Sequence, residues 1–264
     1  MIESRDELIV NTPEKYAALT GVRVLTGREA VELDSGKKLV TAKNLITGET
    51  EAYSYDRLVI ATGASSAVPP IEGVGLKGVF KMRTPDDAIR IRDYVEAERV
   101  KKAVVIGGGF IGLEVAENLL AQGVDVTVMD FASQIMPMCW ILKWRITPNG
   151  ICGSKVRVLT GTKAEKLVGD ARVTAVKTAS ATLPAELVVL SAGIRPNTAF
   201  LASSGIEMEK GAIVVDSQLK TNLPGVYAAG DCALVTNRIT GRRQWSPMGS
   251  SANMEGRTLA LSQA

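Results

Sequence analysis

The segment AVVIGGGFIGLEVAENLLAQGVDVTVMD, residues 103–130, restricts the fold of this chain more than any other stretch. An apolar run is followed by GGGFIG, then by an apolar-periodic stretch, and then by a second apolar run that ends in aspartate. This order predicts a strand, a glycine loop, a helix and a second strand. The complete βαβ context makes the GxGxxG match far more specific than an isolated one.

The glycines of this loop have separate predicted roles in binding a dinucleotide. Gly107 allows the tight turn, Gly109 lets the backbone approach a pyrophosphate, and Gly112 lets the helix pack closely on the strand. Asp130, 23 residues after Gly107, would accept hydrogen bonds from the adenosine ribose and repel a 2′-phosphate, which favours NADH over NADPH. Arginines or lysines just after Asp130 could instead accommodate a 2′-phosphate, so NADPH stays the alternative. The alternative is that the glycines form only a strand-helix joint and that Asp130 is a turn residue.

The remaining chain divides into short strands and turns. Residues 22–59 alternate β-rich runs with turn signals, which predicts an antiparallel meander, and LVIA at 58–61 is typical of a buried parallel strand. After the Pro-rich segment SSAVPPIEGVG, Thr84-Pro85-Asp86-Asp87 predicts the start of a helix that runs to about Arg99. Further strands are expected in VRVLTGTKAEKLV, ARVTAVKTA and AELVVLSAG, and a last helix near Ser250.

Two short segments resemble each other. YDRLVIATGASS (55–66) and AELVVLSAGIRPN (185–197) share an acidic residue, an apolar run and a glycine, and each follows a predicted meander. This repetition predicts two domains built on one plan, and a chance similarity is the alternative.

Composition excludes several classes of function. The net charge of +3 comes from 31 basic and 28 acidic residues that form no basic stripe, so nucleic acid is not an expected partner. The chain has no histidine, which removes Ser-His-Asp and Cys-His catalysis and histidine metal sites. Without a predicted membrane segment or signal sequence, we expect a soluble cytoplasmic protein with no membrane partner.

A second candidate site lies in TNLPGVYAAGDCA, residues 221–233. A buried strand that ends in Gly230-Asp231 places a carboxylate at the carboxyl edge of a sheet, where ligands of such folds bind. Taken alone, Asp231 is as well explained as the cap of the next helix. Cys232 is best explained as a small buried residue, because no neighbour in the sequence would lower the pKa of its thiol.

The ordered motifs ATGASSAVPPIEG, VVIGGGFIGLEVAENL, LSAGIRPNTAFLASSGI and TNLPGVYAAGDC resemble the FAD-dependent pyridine nucleotide-disulfide oxidoreductases. The closing WSPMGSSANMEGR is most similar to the branch of coenzyme A-disulfide reductases and NADH oxidases. The resemblance implies an α/β fold with two Rossmann-like three-layer nucleotide-binding domains, each with a β-meander. It implies FAD and NADH as cofactors and a homodimer, with a small molecule or a thiol or disulfide as electron acceptor.

The resemblance also implies domains and binding residues. Residues 1–75 would be a partial FAD-binding domain, 76–210 an NAD(P)-binding domain, and 211–264 a return to the FAD domain. The residues implied to line FAD are Ala61, Thr62, Gly63, Gly230 and Asp231. Those implied to lie near NAD or the nicotinamide are Gly107, Gly109, Phe110, Ile111, Gly112, Glu114, Asp130 and Gly193, although Glu114 is equally well explained as part of a solvated helix face.

The family begins with its own GxGxxG unit for FAD and a redox cysteine, and it ends with a dimer domain. By resemblance, this chain begins after the first two and stops before the third, so no catalytic residue is predicted within it. Three functions therefore stay open: a fragment of an FAD-dependent NADH-using oxidoreductase, an inactive NAD-binding remnant, or an NADH-dependent reductase of a small electron-transfer protein.

The stretch CWILKWRITPNGICGSK, residues 139–155, fits neither a helix nor the family. Its codons can be chosen so that a shifted frame encodes LDTEMADYAERNMRKQ, an amphipathic helix that resembles the family at this point. We therefore hypothesise two compensating frameshifts, which makes Cys139 and Cys152 an accident of reading frame. A divergent loop and a new thiol site are the alternatives, and sequencing the encoding DNA from upstream of Met1 through codon 160 decides among them.

Overall fold

A computed structural model describes residue 6 and residues 9–136 and 156–263 of the chain. Its helices are α1 (Pro13–Thr20), α2 (Pro85–Glu98), α3 (Phe110–Ala121) and α4 (Gly249–Gln263). The strands before α3 are β1 (Arg28–Asp34), β2 (Leu39–Asn44), β3 (Thr50–Ser54), β4 (Leu58–Ile60), β5 (Ala64–Ser66), β6 (Val79–Lys81) and β7 (Lys102–Ile106). Those that follow α3 are β8 (Asp125–Met129), β9 (Arg157–Leu159), β10 (Ala164–Val168), β11 (Ala175–Thr178), β12 (Thr182–Pro184), β13 (Leu187–Leu190), β14 (Ile194–Pro196), β15 (Met208–Glu209), β16 (Ala212–Val214), β17 (Val226–Ala228), β18 (Ala233–Thr236) and β19 (Arg243–Gln244).

The chain forms two compact units. One is built mainly from Ser66–Ile194, and the other combines Ile9–Ser65 with Arg195–Ala264. We call them the central unit and the composite unit. The stretch of the hypothesised frameshifts, residues 139–155, lies outside the described residues.

The central unit is organised around a parallel five-stranded sheet in the order β6-β13-β7-β8-β9. Its strands are apolar on both faces because both faces are covered, as is usual for parallel sheets. One set of strand side chains packs against α2 and α3, and the alternate set packs against the antiparallel meander β10-β11-β12. The helix-facing side chains include Val105, Val126 and Val189, and the meander-facing ones include Val104, Met129 and Val188. This confirms the predicted three-layer α/β architecture.

The composite unit contains the antiparallel meander β1-β2-β3 and a parallel pair formed by β4 and β17. A four-stranded sheet, in the order β15-β16-β18-β19, completes it. Its apolar core joins Leu33 of the meander and Ile60 of β4 to Ile213, Val226 and Leu259 of the later segments. The two distant parts of the chain therefore share one core.

The resemblance between the two short segments is confirmed as a structural repeat. In each unit a three-stranded antiparallel meander precedes a parallel strand, which is β4 in the composite unit and β13 in the central unit. Each strand is followed by a glycine with positive φ, which is 65° at Gly63 and 103° at Gly193. Only glycine adopts such a backbone conformation without steric cost, so the shared glycine has a structural reason.

Three local details differ from the sequence predictions. The first meander begins only at Arg28, because Gly27 turns the chain with a φ of 64° after Val22–Thr26. VRVLTGTKAEKLV contains two strands that belong to different sheets, since β9 joins the parallel sheet while β10 joins the meander. The helix α1 is not among the predicted helices; it is capped by the Thr12 side chain and has no buried residue.

The helix α2 begins where the sequence predicts and has a complete capping box. Thr84 Oγ1 accepts a hydrogen bond from Asp87 N at 3.3 Å, and Asp87 Oδ2 accepts bonds from the backbone N–H groups of Thr84 and Arg83. Burial alone would raise the pKa of Asp87. The hydrogen bonds from Thr84 and Arg83 and the charge of Arg90 outweigh burial, so this pKa lies below its ordinary value.

We predict that Asp87→Ala lowers the free energy of unfolding by about 2 kcal/mol at neutral pH, because two backbone donors lose their acceptor. The depressed pKa means that this stabilisation is present above the ordinary aspartate pKa and is lost as the pH falls through the native one. Denaturant unfolding at neutral and acidic pH measures both effects. Asp93→Ala removes an exposed acid from the same helix and is the control; an equal loss in both variants would contradict the prediction.

Candidate functional site

The glycine loop of the central unit is shaped by close backbone contacts. Gly107 follows β7 with a φ of 113°, and a Cβ at this position would collide with the backbone carbonyl of Ser191. Gly112 is buried in α3, where a Cβ would collide with the carbonyl oxygen of Gly107. The tight turn and the close helix-strand packing that the sequence predicts are therefore both present.

Gly109 differs from these two glycines because nothing lies within 4 Å of the position that its Cβ would occupy. It is the N-cap of α3, with no side-chain cap, and its carbonyl accepts the hydrogen bond from Leu113 N at 3.0 Å. The N–H groups of the first helical turn have no acceptor within the helix, and the helix dipole is positive at this end. Open space beside N–H groups that have no acceptor within their own helix is what a phosphate group requires.

Asp130 lies beside this loop, as the sequence predicts. Its Oδ2 accepts a hydrogen bond from Gly108 N at 2.6 Å, and its Oδ1 accepts one from Ala132 N at 2.7 Å. These bonds fix the carboxylate against the glycine loop. Each carboxylate oxygen has a further lone pair, so the side chain can also accept hydrogen bonds from two adjacent hydroxyl groups of a ligand.

The other predicted residues of the central unit lie near the same strand ends. Phe110 and Ile111, in the first turn of α3, are 54% and 37% exposed, and Glu114 is exposed on the next turn. Gly193 is exposed, with open space around its missing side chain. Phe110, Ile111, Glu114 and Gly193 are therefore all accessible to a ligand.

Sequence reasoning missed Ser191, the residue that directly follows β13. Within residues 9–136 and 156–263, its Oγ is buried and has no hydrogen-bond partner. Its Cβ lies 3.4 Å from the position that a Cβ of Gly112 would occupy. A serine within LSAG carries no local signal for this location, because only the fold brings it to the glycine loop.

The predicted residues of the composite unit lie at two adjacent strand ends. Ala61, Thr62 and Gly63 follow β4, and Gly230 and Asp231 follow β17, its parallel neighbour. Ala61 and Thr62 are exposed, whereas Asp231 is half-buried. Because parallel neighbours end at the same edge, the fold brings these two predicted groups together.

Two polar residues that are not among the predicted site residues support these turns. Asn197 makes hydrogen bonds to the turn after β4, including one from its Nδ2 to Thr62 O at 2.9 Å. Glu255 of α4 accepts a hydrogen bond from Gly230 N at 2.6 Å. Burial and the nearby charge of Asp231 raise the pKa of Glu255.

Cys232 is a buried structural residue, as expected from its sequence context. It is fully buried, and its Sγ donates to the carbonyl oxygens of Ile60 and Ala229 at 3.4 Å and 3.3 Å. Burial raises the pKa of this thiol, which keeps it protonated and unreactive. Cys139 and Cys152 lie outside the described residues.

The described part of the chain has neither a candidate metal cluster nor a membrane-spanning helix. Among residues 9–136 and 156–263, no group of three or more histidine, cysteine, aspartate or glutamate side chains could hold a metal ion. None of the helices in these ranges is long and apolar enough to cross a membrane.

Comparison with known proteins shows a single family. The model of the pyridine nucleotide-disulphide oxidoreductases matches residues 3–255. An NADH oxidase of Methanocaldococcus jannaschii is 36% identical over 262 residues, which cover 97% of this chain and 57% of the relative. An NAD(P)H coenzyme A polysulfide/persulfide reductase of Pyrococcus horikoshii is also 36% identical, over 256 residues, with the same two coverages. The chain thus spans a little over half the length of these relatives.

Solved structures agree with this assignment of the fold. Reduced Bacillus anthracis CoADR-RHD superposes with a TM-score of 0.92 at 29% identity, over 98% of this chain and 47% of that protein. A covalent complex of putidaredoxin reductase with putidaredoxin matches with a TM-score of 0.84 at 27% identity, over 98% of this chain and 62% of that protein. Proteins with this fold therefore include one that is linked to a small protein partner.

We predict that Gly107→Ala lowers the free energy of unfolding by at least about 2 kcal/mol, because the new Cβ meets the Ser191 backbone and the φ is left-handed. Gly109→Ala is the matched control in the same loop, and we expect a change within about 1 kcal/mol, since its Cβ points into open space. Thermal and denaturant unfolding measure the free energy of unfolding of both variants. Equal destabilisation would contradict the geometry of this loop.

Proposed function

Because this chain belongs to the pyridine nucleotide-disulphide oxidoreductase family, we propose that it provides the NADH site and part of the FAD site of an oxidoreductase in which NADH reduces the flavin. The family and its NADH oxidases depend on FAD and NAD(H). The central unit would bind NADH, and the composite unit would bind FAD. The proposed NAD domain, residues 76–210, corresponds mainly to the central unit, Ser66–Ile194. The proposed FAD domain, residues 1–75 and 211–264, corresponds mainly to the composite unit, Ile9–Ser65 and Arg195–Ala264.

The observation that carries this proposal is the geometry of the loop Gly107–Gly112. Open space at Gly109, the uncapped start of α3 and the fixed carboxylate of Asp130 occur together at the end of a parallel strand. A pyrophosphate would bind at the helix start, and Asp130 would accept hydrogen bonds from the adenosine ribose. A strand-helix joint without a ligand needs Gly107 and Gly112 but gives no reason for a glycine at 109.

The composite unit has groups that are suited to bind part of a flavin nucleotide. The exposed turn Ala61–Gly63 and the half-buried Asp231 lie at adjacent strand ends, and a carboxylate there is a suitable acceptor for the hydroxyl groups of a ribityl chain. When bound, FAD would supply a ring that takes a hydride from the nicotinamide. The chain itself would hold the two nucleotides, orient them and exclude water.

The preference for NADH over NADPH rests on Asp130. Its carboxylate is held against the glycine loop, where the adenosine ribose would lie, so a 2′-phosphate would be repelled. Phe131, the next residue, is apolar and 80% exposed and offers no positive charge to offset this repulsion.

The names of the related proteins indicate several classes of electron acceptor. Their names refer to an NADH oxidase, a polysulfide or persulfide reductase, and a reductase in complex with putidaredoxin. We propose a thiol, disulfide or oxygen species as the acceptor of the whole protein, with a small electron-transfer protein as the second candidate. A third candidate is an NAD-binding chain without turnover.

We predict that the chain binds added FAD and that NADH then bleaches the visible flavin absorption under anaerobic conditions. NADPH should act more slowly because of Asp130, and Asp130→Ala should narrow this difference. Gly109→Ala should slow bleaching, because its Cβ would occupy the space of the pyrophosphate. A stopped-flow spectrometer measures the bleaching rate of the unchanged chain and of each variant with either coenzyme.

If the chain binds NADH but does not retain the yellow colour of FAD, the third candidate, an NAD-binding chain without turnover, is favoured. Bleaching at equal rates by NADH and NADPH would contradict the role of Asp130. A Gly109→Ala variant that reacts as fast as the unchanged chain would contradict the proposed position of the pyrophosphate.

A further inference from the structure

Asn197 makes four hydrogen bonds to the segment after β4, although about 130 residues separate them along the chain. Its Nδ2 donates to Thr62 O at 2.9 Å, and its Oδ1 accepts from Ser65 Oγ at 2.7 Å. Its backbone N–H donates to Gly63 O at 2.9 Å, and its backbone carbonyl accepts from Thr62 Oγ1 at 2.8 Å. One residue thus contacts two members of the turn, Thr62 and Gly63, and Ser65 of the following strand β5.

The neighbouring residue anchors Asn197 to the rest of the composite unit. Thr198 is buried, and its Oγ1 donates to Gly211 O at 2.6 Å. Leu201, three residues further on, is fully buried in the core. The backbone at Asn197 therefore cannot follow a movement of the turn without breaking these contacts.

Part of the turn is open to solvent, and its backbone at Thr62 and Gly63 also interacts with the buried thiol of Cys232. Ala61 and Thr62 are exposed, and Gly63 has nothing within 4 Å of the position of a Cβ. An exposed turn with a left-handed glycine has many accessible conformations, and hydrogen bonds from a fixed residue reduce their number.

We propose that Asn197 is the positioning residue for the turn Ala61–Gly63, which it holds in the conformation that receives the flavin nucleotide. This inference rests on the proposed function, because it takes the turn as part of the FAD site. The side chain must donate to a carbonyl and accept from a hydroxyl at the same time, and an asparagine amide does both. An aspartate would place a carboxylate oxygen against Thr62 O, where neither atom can donate.

Three variants of the full chain separate positioning from general stability. Asn197→Ala removes both side-chain bonds, and Asn197→Asp removes only the donor. Asn222→Ala is the matched control, because Asn222 is also an exposed asparagine of the composite unit with two bonds, from Glu207 N to its Oδ1 and from its Nδ2 to Gly205 O. FAD affinity is measured by fluorescence titration, NADH affinity by the same method, and stability by thermal unfolding.

We expect Asn197→Ala to weaken FAD binding by about tenfold, with NADH binding unchanged, and Asn222→Ala to leave both affinities unchanged. Asn197→Asp should bind FAD weakly at neutral pH and recover as the pH falls toward the ordinary aspartate pKa of about 3.9, because the protonated acid donates again. The unchanged chain and Asn222→Ala, measured at the same pH values, should not show this recovery.

The outcomes distinguish the inference from the function on which it rests. If the unchanged chain binds FAD and Asn197→Ala binds it equally well, the positioning role is wrong and the proposed function stands. If Asn197→Ala and Asn222→Ala lose affinity in proportion to lost stability, Asn197 is merely structural and the inference is overturned. If the unchanged chain binds NADH but no FAD, the FAD part of the proposed function fails and the inference fails with it.

Discussion

The close approach of three backbone segments at Gly107 is the constraint on which the central unit depends. A side chain at Gly107 would collide with the Ser191 carbonyl after β13, and one at Gly112 would collide with the Gly107 carbonyl after β7. Two neighbouring strands and the start of α3 can therefore meet only because both positions are glycine. The same contact directs the uncapped helix start toward the strand ends, where Asp130 is also held. The same backbone contacts at Gly107 and Gly112 thus determine both the packing of α3 on the sheet and the position of the candidate binding site.

Local chemistry explains which parts of the structure the sequence predicts. The capping box at Thr84, the alternating strands of both meanders and the glycine loop depend on neighbours in the sequence, so their patterns are visible in it. The segment GVGLKG, residues 73–78, also matches GxGxxG, yet it leads into β6 and not into a helix. Its Gly73 has a φ of 90° and lies against the Leu167 backbone, so its glycines serve turns and packing. The pattern therefore predicts a phosphate site only within a βαβ context.

Long-range contacts explain what the sequence leaves unpredicted. Asn197, Glu255 and Ser191 each contact a candidate site through the fold, and none belongs to a local motif that identifies its partner. The division of VRVLTGTKAEKLV into β9 and β10 has the same origin, since both halves have strand character and only the tertiary fold assigns them to different sheets. Sequence patterns predict the turns that we propose as binding sites, whereas the residues that hold those turns in place are seen only in the structure.

The two units follow one plan, and this repetition links the fold to the proposed function. A meander, a parallel strand and a positive-φ glycine recur at Gly63 and Gly193, so each unit presents a strand-end turn of the kind that contacts nucleotides. The central claim is that the chain has one dinucleotide site in each unit. Equilibrium dialysis with FAD and NAD⁺, alone and together, tests it most directly. We expect one equivalent of each nucleotide to bind and neither to displace the other. Mutual displacement, or binding of only one nucleotide, would mean that the chain does not have two separate dinucleotide sites.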